Sequence, residues 1–244
     1  MRALRIVLII AVVLGGLFVA ADRVAVGFAE DKVAEQLRSS EGLEKDPEVS
    51  IKGFPFLTQV LGGELDDVEI GIDDLEASNG GGKVRIAELN ARMLGVAFSS
   101  DYSSATAAEA TGSARIGYDE LLKAAKVEPV EVAPGVTAKV VGLSDGGNGK
   151  IKVAVEATVL GQTLPEPVEV VSSAKVEGGK TVQVSADKLP KLGAVPVAEQ
   201  RLRQITDFQQ VIDGLPAGIE LDKVEARGDG VEITVTGSQV KLAG

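Results

Sequence analysis

The sequence predicts an α+β fold: one long, twisted antiparallel sheet curled over one or two helices, preceded by an N-terminal transmembrane helix. Three observations carry this expectation. A charge-free apolar run fills residues 6–21. Period-2 alternation of apolar and polar residues recurs between residues 67 and 236. No regular strand–helix alternation accompanies it, which disfavours a parallel βαβ layout.

Arg2 and Arg5 precede the apolar run, and Asp22 and Arg23 follow it. This is the pattern of a signal peptide or an uncleaved signal-anchor. A buried core helix fits poorly, since the run is apolar on every face. As a helix, residues 6–21 span about 24 Å, short of the roughly 30 Å hydrocarbon core. Val19-Ala20-Ala21 is an acceptable cleavage sequence. Against cleavage, the run is long and a helical pattern continues directly past it. Both alternatives place the rest of the chain outside the cytoplasm, because Arg2 and Arg5 stay inside. The expected division is an anchor over residues 1–21 and a single extracytoplasmic domain over 22–244, secreted if the signal is cleaved.

From Asp22 to about Arg38 the pattern is amphipathic, with Val26, Ala29, Val33 and Leu37 at helical spacing and Gly42 as a stop. Strand patterns follow. Val68, Ile70 and Ile72 alternate with Asp67, Glu69, Gly71 and Asp73. Ile151, Val153, Val155, Ala157 and Val159 alternate with polar residues, as do Val231, Ile233 and Val235. Weaker strand patterns lie at 83–99, 105–116, 135–143, 166–177, 180–187 and 218–227. Gly178-Gly179 and Asp229-Gly230 suit tight hairpins, and 145–149 suits a longer loop. A short helix is expected from Tyr118 to Lys126. A second runs from about Pro196 to Asp213, with Ala198, Leu202, Ile205, Phe208 and Ile212 as its apolar stripe. Between the first short strand and the acidic one, "GFPFLTQVLGG" gathers two of the chain's six Phe residues around Pro55. It suggests one or two helical turns stopped by Gly62.

Composition excludes several chemistries. The chain has no Cys and no His. Disulfides, thiol nucleophiles, Cys or His zinc sites and a Ser-His-Asp triad cannot be built. The net charge of −11 argues against nucleic acid, which needs a basic surface. The acidic pairs Asp66-Asp67 and Asp73-Asp74 point to opposite strand faces, and the wet face is their plain explanation. The 145–149 loop lacks the ligand spacing of a calcium loop. The Gly80-Gly81-Gly82-Lys83 run lacks the context of a phosphate cradle. No catalytic residues, metal site or cofactor are assigned, and the chain is expected not to be an enzyme.

The segments "ADRVA", "EGL" and "SIKGFPFLTQVLGGELDDVEI" closely resemble the LmeA-like phospholipid-binding family of bacterial cell-envelope proteins. "VLGQTL" at 159–164 and "GIELDKVEARGDGVEITVTG" at 218–237 resemble later segments of that family. The resemblance implies an architecture similar to tubular lipid-binding domains and a membrane-associated, extracytoplasmic protein whose partner is phospholipid. It also implies a role in cell-envelope lipid or lipoglycan (mannan) maintenance, alongside envelope glycan-synthesis proteins.

Given the acidity of the chain, acyl-chain recognition is the consistent mode. Phe54, Phe56 and Leu57 are then expected at the mouth of an apolar groove near the anchor. Val68, Ile70, Ile151, Val153, Leu202 and Ile205 are expected in its walls. The alternative keeps the same residues as core: Phe54 and Phe56 plug the sheet end, and the domain is a non-catalytic envelope scaffold. A carboxylate-dependent enzyme acting on a lipid-linked glycan is a third alternative.

Overall fold

The computed structural model describes residues 2–79, 82–99, 104–125, 128–189, 203, 206–212 and 215–243. The fold is α+β, with antiparallel strands and three helices among the described residues. Helix α1 runs without a break over Arg2–Glu41. Its 40 residues span about 60 Å. The apolar half lies exposed from Leu4 to Val19. Beyond it, Asp22, Val26 and Ala34 are buried. Val33, expected on this face, is instead exposed, because Ala34 takes the inward position.

Strand β1 (Glu48–Lys52), helix α2 (Phe56–Gly62) and the long strands β2 (Glu64–Asn79), β3 (Gly82–Phe98) and β4 (Ala105–Gly117) follow in order. Helix α3 covers Tyr118–Ala124. Next come β5 (Val130–Ala133), β6 (Val136–Asp145), β7 (Ile151–Val159), β8 (Gln162–Thr163), β9 (Val168–Glu177), β10 (Thr181–Ala186) and β11 (Phe208–Val211). A last hairpin pairs β12 (Ile219–Arg227) with β13 (Gly230–Ala243).

The strands divide into two sheets. The first has the order β1-β2-β3-β4-β13-β12. The second has the order β11-β10-β9-β7-β6-β5, with β8 on β7. The division arises because β13 crosses back to pair with β4 from Gly230↔Gly117 to Ala243↔Ala105. The sheets are joined at β12. Leu221 N–H donates to Gly179 O at 2.7 Å, and Ala226 N–H donates to Gly149 O at 3.0 Å. Both acceptors are left-handed turn glycines of the second sheet, and a Cβ on either would press within about 3.1 Å of a β12 side chain. Val153, Val155 and Val170 of the second sheet bury against Leu221, Val224 and Val231 of the first.

Three local expectations are corrected, the first being the two-residue turn at Gly178-Gly179, which also takes in Lys180 because Glu177 pairs with Thr181. The helix expected from about Pro196 to Asp213 lies largely outside the described residues, and it does not extend over Phe208–Val211, which pair with Thr181–Val184 as a strand. The open edge of β10 supplies backbone partners that an isolated helix pattern does not reveal. The last hairpin turns on Gly228-Asp229, because Arg227 already pairs with Gly230.

Carboxylates tie the second sheet together. Asp187 accepts from Lys150 Nζ and Ser173 Oγ, each at 2.6 Å, and the Lys150 bond leads in holding it below the usual value. Burial alone would raise Asp207, but hydrogen bonds from Ala186 N–H, Thr206 and Arg203 outweigh it and lower this group too. A carboxylate so lowered stabilises the fold above its unfolded value and loses that contribution as pH falls through the lowered one. No side chain here has an ordinary pKa between about 5.5 and 8. The melting temperature should therefore be level from about pH 6 to 8 and drop below about pH 4. Circular dichroism melts check this, and a step near neutrality would contradict it.

Candidate functional site

The sequence around Pro55 folds into a tight knot where α1 meets the first sheet. Gly53 has φ +96°, and a Cβ there would lie 2.5 Å from Gln59 Nε2 and 2.8 Å from Asp66 Oδ2. The Phe54–Pro55 bond is cis. Thr58 Oγ1 donates to Pro55 O at 2.8 Å. Gln59 Oε1 accepts Asp66 N–H at 2.8 Å, and its Nε2 reaches Lys52 O at 3.5 Å, so one amide spans the end of β1 and the start of β2. The expected stop at Gly62 falls one residue later: Gly63, at φ +77°, caps α2 and donates to Val60 O.

Pro55 sits at the N-cap of α2 and offers no side-chain acceptor. Asp22 of α1 supplies one from outside. Its fully buried carboxylate accepts Leu57 N–H at 2.9 Å and the Arg23 guanidinium at 2.6 Å. The Arg23 guanidinium also lies 5.3 Å from the Phe54 ring centre. Eight residues on, Glu30 Oε1 accepts Ile51 N–H at 2.7 Å and closes the outer edge of β1.

The first sheet has two unlike faces. Residues directly opposite each other across an antiparallel pair share a face. On one face, all six strands line a trough of about 990 Å³. Ser50, Glu69, Arg92, Thr111, Glu232 and Thr236 line it, and Val49, Ile70, Ala91, Gly112 and Val235, which alternate with the polar residues along the strands, border it as well. On this face Arg92 binds Asp67 at 2.8 Å and Lys52 binds Glu69, and in a smaller hollow beside the trough Arg115 binds Glu88. Arg227 binds Glu232 at 3.0 Å and Glu225 at 3.2 Å. The Lys223 hydrogen bond leads in lowering the Glu225 carboxyl.

The opposite face is apolar and runs in register rows. Ile51, Val68, Met93 and Ala110 form a row buried under α1 and α2 with Val26 and Phe56. The next row is Val49, Ile70, Ala91, Gly112 and Val235, and the next is Ile72, Leu89, Ala114 and Ile233. These two rows are half-buried throughout. They form an apolar shelf between the cluster under α1 and the cluster shared with the second sheet.

Phe56, Leu57, Val68 and Ile70 come together, Phe56 and Val68 buried and the other two half-buried. Phe54 stands outside that cluster, 56% exposed. Ile151 and Val153 are buried in the other cluster, between the sheets. Leu202 and Ile205 lie outside the described residues. Among the described residues, no group of three acidic side chains converges to hold a metal ion. The model of the LmeA-like phospholipid-binding family matches residues 20–236.

The chain belongs to that family. No curated protein and no solved structure matches it. The family match begins at the edge of the apolar run and takes in the Asp22 contact, the knot and both faces of the first sheet. Helix α1 is long and apolar enough to cross a membrane. Sequence reasoning missed Ile72, Leu89, Ala91 and Ala114 as shelf residues. The alternation within β3 and β4 carried the signal, but only the register aligns these side chains with Ile70.

Gly53→Ala tests the knot directly. Its strained φ and the clash with Gln59 and Asp66 should cost about 1–3 kcal/mol of stability, read from denaturant unfolding of the full chain. An unchanged midpoint would show that the knot tolerates a side chain.

Proposed function

We propose that this protein is a membrane-anchored, extracytoplasmic phospholipid-binding protein that holds acyl chains on the apolar shelf of its first sheet. Family membership supports lipid as the ligand. The half-buried rows around Ile70 and Leu89 are the observation that carries the groove, since in register they make a continuous apolar strip running from one buried cluster to the other. The polar trough suits acyl chains poorly, because a lipid tail there would strip water from paired charges.

In this reading Phe54, Phe56 and Leu57 stand at the anchor end of the shelf, with Val68 and Ile70 beginning its floor. Ile151 and Val153 back the far end, and Leu202 and Ile205 remain proposed wall residues. Arg2 and Arg5 favour an N-terminus that stays in the cytoplasm, with residues 22–244 as one domain outside. The role that follows is upkeep of envelope lipid or lipoglycan, with glycan-synthesis proteins as candidate partners. The scaffold alternative draws on the burial of Phe56, Val68, Ile151 and Val153, which fill core.

Photo-crosslinking separates the two. The full chain is reconstituted in a bilayer containing a phospholipid with a diazirine in its tail, and crosslinked peptides are mapped. Lipid holding predicts adducts on β2 to β4 around residues 70–72, 89–91 and 112–114. Leu89→Glu should cut those adducts about tenfold, the equivalent of losing roughly two buried methylenes, and leave adducts on residues 6–21 intact. Adducts confined to residues 6–21 would favour the scaffold.

A further inference from the structure

We propose that the collar formed by α1 just past the apolar run and by the Gly53–Phe56 turn is seated in the headgroup layer of the bilayer, with Val24, Phe28 and Phe54 in contact with lipid. This rests on the reading of residues 6–21 as an anchor.

Asp22 and Val26 face the sheet and are buried. Val24 and Phe28, four residues apart, lie along one line of the helix that points away from them. That line continues upward from Leu17 and Ala21 of the apolar run. Val24 is 74% exposed and Phe28 66%. The helix therefore keeps a lipid-like stripe for two turns after its opposite side has become polar and packed.

Length agrees. Residues 6–21 span about 24 Å, short of a hydrocarbon core of roughly 30 Å. Carried to Phe28 along the outer stripe, the apolar length is about 34 Å, which removes the shortfall on the side facing lipid.

Phe54 lies beside the first turn of this stripe, next to Arg23. Its exposed ring lies against Arg23, the second residue after the run, and Arg23 also reaches Gly53 O at 3.5 Å. The Lys32 ammonium, one turn beyond Phe28, lies 6.0 Å from the centre of the Phe28 ring. Aromatic rings paired with cations are what the membrane–water boundary selects. The chain's charge of −11 leaves ring and aliphatic insertion, rather than a basic patch, as the means of contact.

The chain contains no Cys, so single cysteines report cleanly. Full-length Phe28→Cys and Phe54→Cys proteins carry an environment-sensitive fluorophore and are reconstituted in phosphatidylcholine nanodiscs. Doxyl quenchers are placed either high on the acyl chain or near its end. Val24→Cys repeats the measurement without touching a ring. Leu14→Cys reports the anchor, and Leu160→Cys, in the exposed turn after β7, reports water. The proposal predicts blue-shifted emission at 24, 28 and 54 and loss of most of it to the shallow quencher, with Leu160 unaffected and Leu14 quenched by the deep one. Collar positions that behave like Leu160 while Leu14 is quenched overturn the collar and leave the anchor standing. Blue-shifted emission without doxyl quenching, as a protein partner or second copy would give, overturns it as well. A Leu14 label that no lipid quenches removes the anchor, and the collar with it.

Discussion

The buried carboxylate of Asp22 joins an apolar rod to a folded sheet. Helix α2 is seven residues long, far too short to persist alone, and its N-cap residue is a proline with no side-chain acceptor. Asp22 supplies the missing acceptor from another helix. A carboxylate fully out of water is tolerable only when it is paired and hydrogen-bonded, and Leu57 N–H and Arg23 meet that requirement. Each partner therefore depends on the other. One further contact, from Glu30 to Ile51 N–H, fixes the helix along the edge of β1. The orientation of the first sheet relative to the apolar run follows from these two carboxylates.

From that fixed edge, the alternation of the long strands gives the first sheet one polar and one apolar face. The polar face curves into a trough whose exposed ion pairs contribute little net stability but keep it wet. The apolar face is closed at one end by α1 and α2 and at the other by the second sheet, which β12 shares through its outer hydrogen bonds. What lies between is too wide for either cover alone. The half-buried rows are thus a consequence of where the two covers stop.

The sequence makes much of this legible. The continuous helix, the alternating strands and the special character of GFPFLTQ all follow from local chemistry. Gly53 stands where a Cβ would clash, Phe56 is buried, and Thr58 and Gln59 each make a side-chain hydrogen bond within the knot. What stayed hidden depends on pairing between distant segments. Alternation identifies β4 and β13 as strands but does not say that they are neighbours, so one sheet was expected where two exist. The stripe through Phe208 fits a helix, yet the free edge of β10 draws Phe208–Val211 into a strand. Asp67 and Glu69 are plainly on a wet face; that this face is concave depends on the curl of all six strands. Ile151 resembles Ile70 in pattern but faces a different cluster, because face assignment carries no information about which sheet a strand joins.

The most direct test of this account is amide hydrogen exchange over residues 48–63 in full-length Asp22→Ala and Asp22→Asn proteins. Removing the acceptor should speed exchange at Leu57 and through α2 at least about tenfold, as expected when a short element loses its principal tie. Asn, which keeps a side-chain oxygen, should restore most of the protection, while β6 and β7 exchange as in the parent. Unchanged protection of α2 in Asp22→Ala would contradict the claim that this carboxylate joins the helix to the sheet.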